Sequence, residues 1–167
     1  MGQIARISSG APWEPVAAYS RAVRAGDFVA VSGTTAIDER GLVVGGGQMY
    51  VQARQTLLNI RRALERLGLS MRDVMRTRVF VTDISRFGDA AKAHREFFAD
   101  APPATSMIEV KRLVHPDMLI EIEADAYAGS GAGAPAAKAA ARAPRASAKP
   151  KPKATKKKAA SRSKKRR

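Results

Sequence analysis

Residues 118–127 read Met118-Leu119-Ile120-Glu121-Ile122-Glu123-Ala124-Asp125-Ala126-Tyr127. Successive side chains of a strand point to opposite faces of its sheet. Met118, Ile120, Ile122, Ala124 and Ala126 therefore share one face, and Leu119, Glu121, Glu123, Asp125 and Tyr127 share the other. The spacing predicts a strand that buries one side and carries three carboxylates on the other. That second side is either a solvated sheet face or a face covered by another subunit. Under cover, a shielded carboxylate gains a raised pKa and can act as a general base or hold a water.

The apolar side needs a partner layer, and upstream segments supply one. Ala53, Leu57, Ile60, Leu64 and Leu67 recur at helical spacing and form one apolar stripe, with Gly68 as a stop signal. Arg54, Arg61, Arg62, Glu65 and Arg66 fall mostly off that stripe and read as a solvated helix surface. A second helix is expected over 86–98, with Phe87, Ala91, His94 and Phe98 as its stripe. Strands are expected at 27–32, ended by Gly33, and at 74–82, with Met75, Thr77, Val79 and Val81 on one face. Another is expected at 105–113. Residues 41–47 are glycine-rich but lack the Lys-Ser/Thr ending of a phosphate loop, so they read as a connection. The order of strands, helix, strand, helix and two strands predicts an α+β fold, one sheet with two helices on one face.

The charge is distributed very unevenly. The chain of 167 residues carries a formal +15. Residues 129–167 hold nine Lys, five Arg and no acid, whereas residues 1–128 hold sixteen basic and fifteen acidic groups. Residues 129–167 are otherwise Ala, Pro, Gly, Ser and one Thr, too small to offset the entropy of ordering, so a disordered tail is expected. Two parts follow: a folded domain, 1–128, and a basic tail, 129–167. The tail's Lys156, Lys157, Lys158, Lys164, Lys165, Arg166 and Arg167 resemble linker-histone tails. They point to phosphate backbones of DNA or RNA read without sequence preference. With no aromatic residues among them, base stacking is not expected. A solvating tail with no selected partner is the competing reading.

Zero cysteines exclude a disulfide scaffold, Cys-ligated zinc and a Cys nucleophile. No apolar run approaches the ~20 residues of a membrane span, and residues 1–10 do not read as a secretory signal. A cytoplasmic protein is expected, nucleoid-associated if the tail binds DNA. Only two histidines are present, which argues against a metal cluster. His94 reads as a partly buried structural residue and His115, before Pro116, as a turn residue. Ser32-Gly33 ends a strand, where a hydroxyl and a bare backbone N–H could face a ligand.

Several segments in order carry a resemblance. These are Val31-Ser32-Gly33, Gln52-Ala53-Arg54-Gln55-Thr56 with Asn59, Thr77 through Asp83, and Glu96-Phe97-Phe98. They continue with Pro103-Ala104, Glu109-Val110, Arg112-Leu113 and Ile120-Glu121-Ile122-Glu123-Ala124. Over about 19–127 the chain resembles the reactive intermediate deaminase (RidA/YjgF) family. The resemblance implies a chorismate-mutase-like α+β fold and a homotrimer with pockets between subunits. It also implies cofactor-free hydrolysis of enamines and imines to a keto acid and ammonia. Carried over by position, Glu121 holds the attacking water, and Tyr19, Ser32, Gly33, Thr105 and Met107 line the pocket. Thr105 stands where full-function members have arginine, and Ala91 stands where asparagine is common. Arginine grips a carboxylate through two charge-assisted bonds, and one neutral hydroxyl replaces them here. Lys111 or Arg78 is a candidate replacement charge. The resulting readings are a divergent hydrolase of imines or related small carbonyl-derived substrates, or a trimeric small-molecule sensor without turnover.

Overall fold

A computed structural model of the chain describes residues 4–129. The tail residues singled out above, Lys156 to Arg167, lie outside the described residues. One six-stranded sheet carries the fold. Its strands are β1 (Ile4–Ile7), β2 (Ala22–Ala25), β3 (Phe28–Thr34), β4 (Val74–Val81), β5 (Ala104–Glu109) and β6 (Ile120–Tyr127). Three helices join them: α1 (Trp13–Ala17), α2 (Met49–Glu65) and α3 (Phe87–Phe98). The strand order is β1-β2-β3-β6-β4-β5. The last strand thus lies in the middle, antiparallel to both β3 and β4. β3 and β4 consequently run in the same direction, and α2 must cross over between them. α3 makes the second crossover, between the parallel pair β4 and β5. Crossovers of one hand place both helices on one side of the sheet.

The α+β architecture with two helices on one face is therefore as expected. The α2 stripe is buried, with Ala53, Leu57, Ile60 and Leu64 at 0% exposure and Leu67 at 9%. It packs with Val29, Val31, Val79, Val81, Ile120, Ile122, Ala124 and Ala126 from three central strands. Gly68 closes the α2 end with φ +77°, a left-handed backbone that glycine adopts at least cost.

Three expectations need correction. Met75 does not share a face with Thr77. Val74 pairs with Ala126 and Arg76 with Asp125, so one extra residue is inserted at Met75. That bulge turns Met75 outward, 48% exposed, and puts Val74 inward. The inner face of α3 is Ala90, Ala93 and Phe98, whereas Phe87 is 55% exposed. Small alanines let α3 lie close to its neighbours, and Phe87 at the helix start overhangs the layer. The strand expected over 105–113 stops at Glu109, because Val110 leaves the ladder after one bond to the Val81 carbonyl (2.8 Å). Sequence reading also missed β1, β2 and α1, all of five residues or fewer.

Candidate active site at the carboxylate face

The β-ladder registers fix which side chains share the uncovered sheet face. Glu121 lies opposite Phe80, Glu123 opposite Arg78, and Asp125 opposite Arg76 and Ala30. All three carboxylates take the face away from the helices, as alternation predicts. Their surroundings differ. Arg78 spans two of them, with Nη1 3.5 Å from Glu123 and Nη2 3.1 Å from Asp125. Arg78 is thereby committed to these two carboxylates. Glu121 has no ion-pair partner among the described residues. Half-burial pushes its carboxyl above the usual range, and the negative Glu123 adds to this, while Arg21 pulls the other way.

A bulge in β3 builds the floor beneath Glu121. Val31 pairs with Ala124 but Thr34 pairs with Ile122, so β3 spends one extra residue there. Ser32 and Gly33 occupy that bulge. A Cβ on Gly33 would collide with the Glu121 carboxylate oxygen, so glycine is needed for the carboxylate to lie against the backbone. The Ser32 hydroxyl donates to the Ser20 carbonyl (2.8 Å), which leaves its oxygen lone pairs to accept.

Arg21 braces this bulge. Its Nη1 donates to the carbonyls of Ser32 (3.2 Å) and Gly33 (2.8 Å) and to Thr34 Oγ1 (2.8 Å). Its Nη2 donates to the Tyr19 hydroxyl at 3.3 Å, and its guanidinium stands 5.6 Å from the Tyr19 ring centroid. Tyr19, Ser32, Gly33 and Glu121 are thus drawn into one neighbourhood, linked by a residue that sequence reading had not singled out. Position next to Tyr19-Ser20 was its only distinguishing mark among fourteen arginines in the domain.

Thr105 and Met107 sit elsewhere in the chain. Both are on β5, the edge strand, in register with Thr77 and Val79, which face the helices. The Thr105 hydroxyl lies 2.9 Å from Thr77 Oγ1, which in turn lies 3.0 Å from His94 Nε2. Met107 packs against the hydrophobic core. One chain therefore holds Glu121 and Thr105 on opposite faces of its sheet. His94 is partly buried, its ring 4.5 Å from that of Phe98. Burial lowers its pKa, which favours the neutral ring. His115 caps its own turn, accepting from the Asp117 N–H at 3.2 Å.

Two α2 amides position the loops that feed the site. The fully buried Gln52 donates to the carbonyls of Gly46 (2.9 Å) and Asp117 (2.7 Å) and accepts from the Leu119 N–H (2.8 Å). It thereby sets the entry of β6 two residues before Glu121. Asn59 donates to the carbonyls of Thr35 (3.1 Å) and Ile37 (2.8 Å), just past the bulge.

Comparison with known proteins agrees with this architecture. Residues 9–128 match the family model described as endoribonuclease L-PSP. A RutC family protein of Sulfurisphaera tokodaii is 40% identical over 109 residues, covering 65% of this chain and 86% of the relative. The 3-aminoacrylate deaminase RutC of Acinetobacter baylyi is 34% identical over 116 residues, covering 70% of this chain and 90% of the relative. Among solved structures, a member of the YjgF/YER057c/UK114 family from Mycobacterium tuberculosis superposes with a TM-score of 0.69 at 42% identity. It covers 75% of this chain and 99% of that one.

Proposed function

The chain belongs to the reactive intermediate deaminase (RidA/YjgF) family, and from that premise we propose that it hydrolyses small imines, or enamines through their imine tautomers, with Glu121 as the water-positioning base. The observation that carries this reading is the half-buried Glu121 carboxylate resting on the glycine of the β3 bulge, with its pKa raised. A carboxylate with an elevated pKa removes a proton from water more effectively than one at its ordinary value. Water adds its oxygen to the imine carbon while Glu121 accepts a proton. The carbinolamine then collapses to the carbonyl product as the nitrogen, protonated in turn, leaves as ammonia. Tyr19 and the Ser32 oxygen line this site.

In this reading Thr105 and Met107 enter the pocket from a neighbouring copy, since one chain separates them from Glu121. A homotrimer with the carboxylate faces turned inward meets that requirement. It would also cover Phe28, Ile108 and Tyr127, which are 41–52% exposed in the single chain. Ribonuclease chemistry has weaker support, because His94 is held by Thr77 and Phe98 and His115 by its turn. No histidine stands beside Glu121 to serve as the second acid–base group of such a reaction: Glu123, its charged neighbour, is paired with Arg78.

A second reading, ligand binding without turnover, is favoured by one observation. The hydroxyl of Thr105, at the position where the resemblance calls for an arginine, is already engaged with Thr77. Ammonia release from a panel of small imines separates the two. Wild type is expected to release ammonia from at least one imine, and Thr105→Arg to gain activity on carboxylate-bearing ones. Ligand-induced stabilisation with no turnover by either protein would favour the sensor.

A further inference from the structure

A cavity of about 380 Å³ opens beside the bulge, between the segment around α1 and the outer side of α2. Trp13, Arg21, Ile37, Asn59, Arg62 and Arg66 are on its wall; Glu121 and Gly33 are not. Its volume is more than twice the roughly 150 Å³ that suffices for a benzene ring in an apolar cavity. The wall is chemically two-sided. Trp13 is half-exposed and presents a flat indole, and Ile37 adds apolar surface.

The charges on the wall do not cancel. Asp38 is spent on its own loop, accepting from the backbone N–H groups of Arg40 and Leu42 and from the Arg40 side chain. Glu39 pairs with Arg62 at 3.2 Å. Arg66 donates to the Ser8 carbonyl and has no carboxylate partner among the described residues. Arg21 is half-buried. Of its five N–H donors, those on Nη1 and one on Nη2 are engaged. Nε–H and the second Nη2–H have no partner among the described residues. Glu14 and Glu121 both feel its charge, yet neither comes within ion-pair distance. Glu14 is itself occupied by Ser8 and Ser9. A half-buried guanidinium that lines a cavity and keeps donors without a partner among the described residues is suited to a carboxylate.

We propose that this cavity binds a small aromatic carboxylate, the carboxylate on Arg21 and the ring against Trp13. Arg66 supplies a second positive charge at the cavity wall. Because Arg21 also supports the carbonyls beneath Glu121, occupancy of this cavity and the state of the carboxylate face share one side chain.

Trp13 is the only tryptophan of the chain, so its fluorescence reads the cavity directly and needs no turnover. The full chain is titrated with benzoate and with its neutral isostere benzamide. Benzoate is expected to change Trp13 emission saturably and to bind at least about tenfold more tightly than benzamide, the value of a charge-assisted pair. Arg21→Gln should abolish that preference and Arg21→Lys should keep part of it, with circular dichroism reporting folding. If Arg21→Gln does not fold, the benzoate-to-benzamide ratio on the wild type decides. No saturable benzoate signal, equal binding of the two probes, or a folded Arg21→Gln that binds benzoate like wild type would each overturn the proposal.

Discussion

Glu121 is costly to the fold in the state that chemistry needs. Burial and the neighbouring Glu123 raise its carboxyl above the ordinary 4.5. Between 4.5 and that raised value, the native chain retains a proton that the unfolded chain has released. Stability from this group therefore falls as pH rises through the window, and the ionised form is the less stable one at neutral pH. Replacing it with an uncharged isostere should separate stability from function. Glu121→Gln is expected to raise Tm at neutral pH relative to wild type and to lose the difference below pH 4.5. Ammonia release should drop by about 10²- to 10⁴-fold, the usual loss when a positioned base is removed. Thermal melts across pH and an ammonia assay check the two halves, and unchanged turnover would remove Glu121 from the mechanism. Its strand alternation was legible from the sequence, since Ile120, Ile122 and Ala124 fix its face. Its lack of an ion-pair partner was not, because Arg78 reaches from β4 to the two other carboxylates instead.

At the level of elements, the bulge in β3 does the positioning. Gly33 needs no unusual backbone angle; its lack of a side chain is what lets Glu121 lie down on it. The atoms that an added methyl would meet belong to the mobile end of Glu121, not to backbone. Gly33→Ala is therefore expected to shift the carboxylate while changing Tm by only a few degrees, about 1 kcal/mol or less in a domain of this size. Turnover should fall at least tenfold, with the loss in kcat as well as KM. Equal activity in a Gly33→Ala protein would mean that Glu121 does not work from this position. The two long helices and the central strands were readable because each runs for seven residues or more, long enough for a period of 3.6 or 2 to show. Bulges escape such reading. One inserted residue at Met75 reverses the facing of everything before it, and its cause lies in pairing with β6, some fifty residues away. β1, β2 and α1 are too short to show a period. Arg21, which joins Tyr19 to the bulge, was hidden for the same reason: its partners are brought together only by the β2–β3 hairpin.

The whole molecule pairs a nearly neutral domain with a segment of a different kind. The family match ends at residue 128, and from 129 onward the chain carries fourteen cationic and no acidic side chains. Each phosphate neutralised on duplex DNA releases counterions and contributes about −0.9 to the slope of log K against log salt. Fourteen charges give a ceiling of about −13 per chain if every one meets a phosphate. In a trimer three such segments would act together, raising avidity through effective concentration. The full chain is expected to retard duplex DNA of unrelated sequences equally and to lose that binding steeply with added salt. A chain ending at residue 128 should lose it entirely while keeping ammonia release unchanged. Gel-shift titrations at several salt concentrations, run beside the imine assay, test both statements. Equal retardation by the two proteins would place DNA binding on the arginines of the domain, and a sequence preference would contradict recognition through phosphates alone. The separation is physically expected because the groups proposed for the chemistry, Glu121 and its bulge, lie within the nearly neutral 1–128. Exposed charges more than about 10 Å apart are largely screened at 0.1 M salt. Retained turnover in the shortened chain would therefore assign the two properties to two parts of one polypeptide.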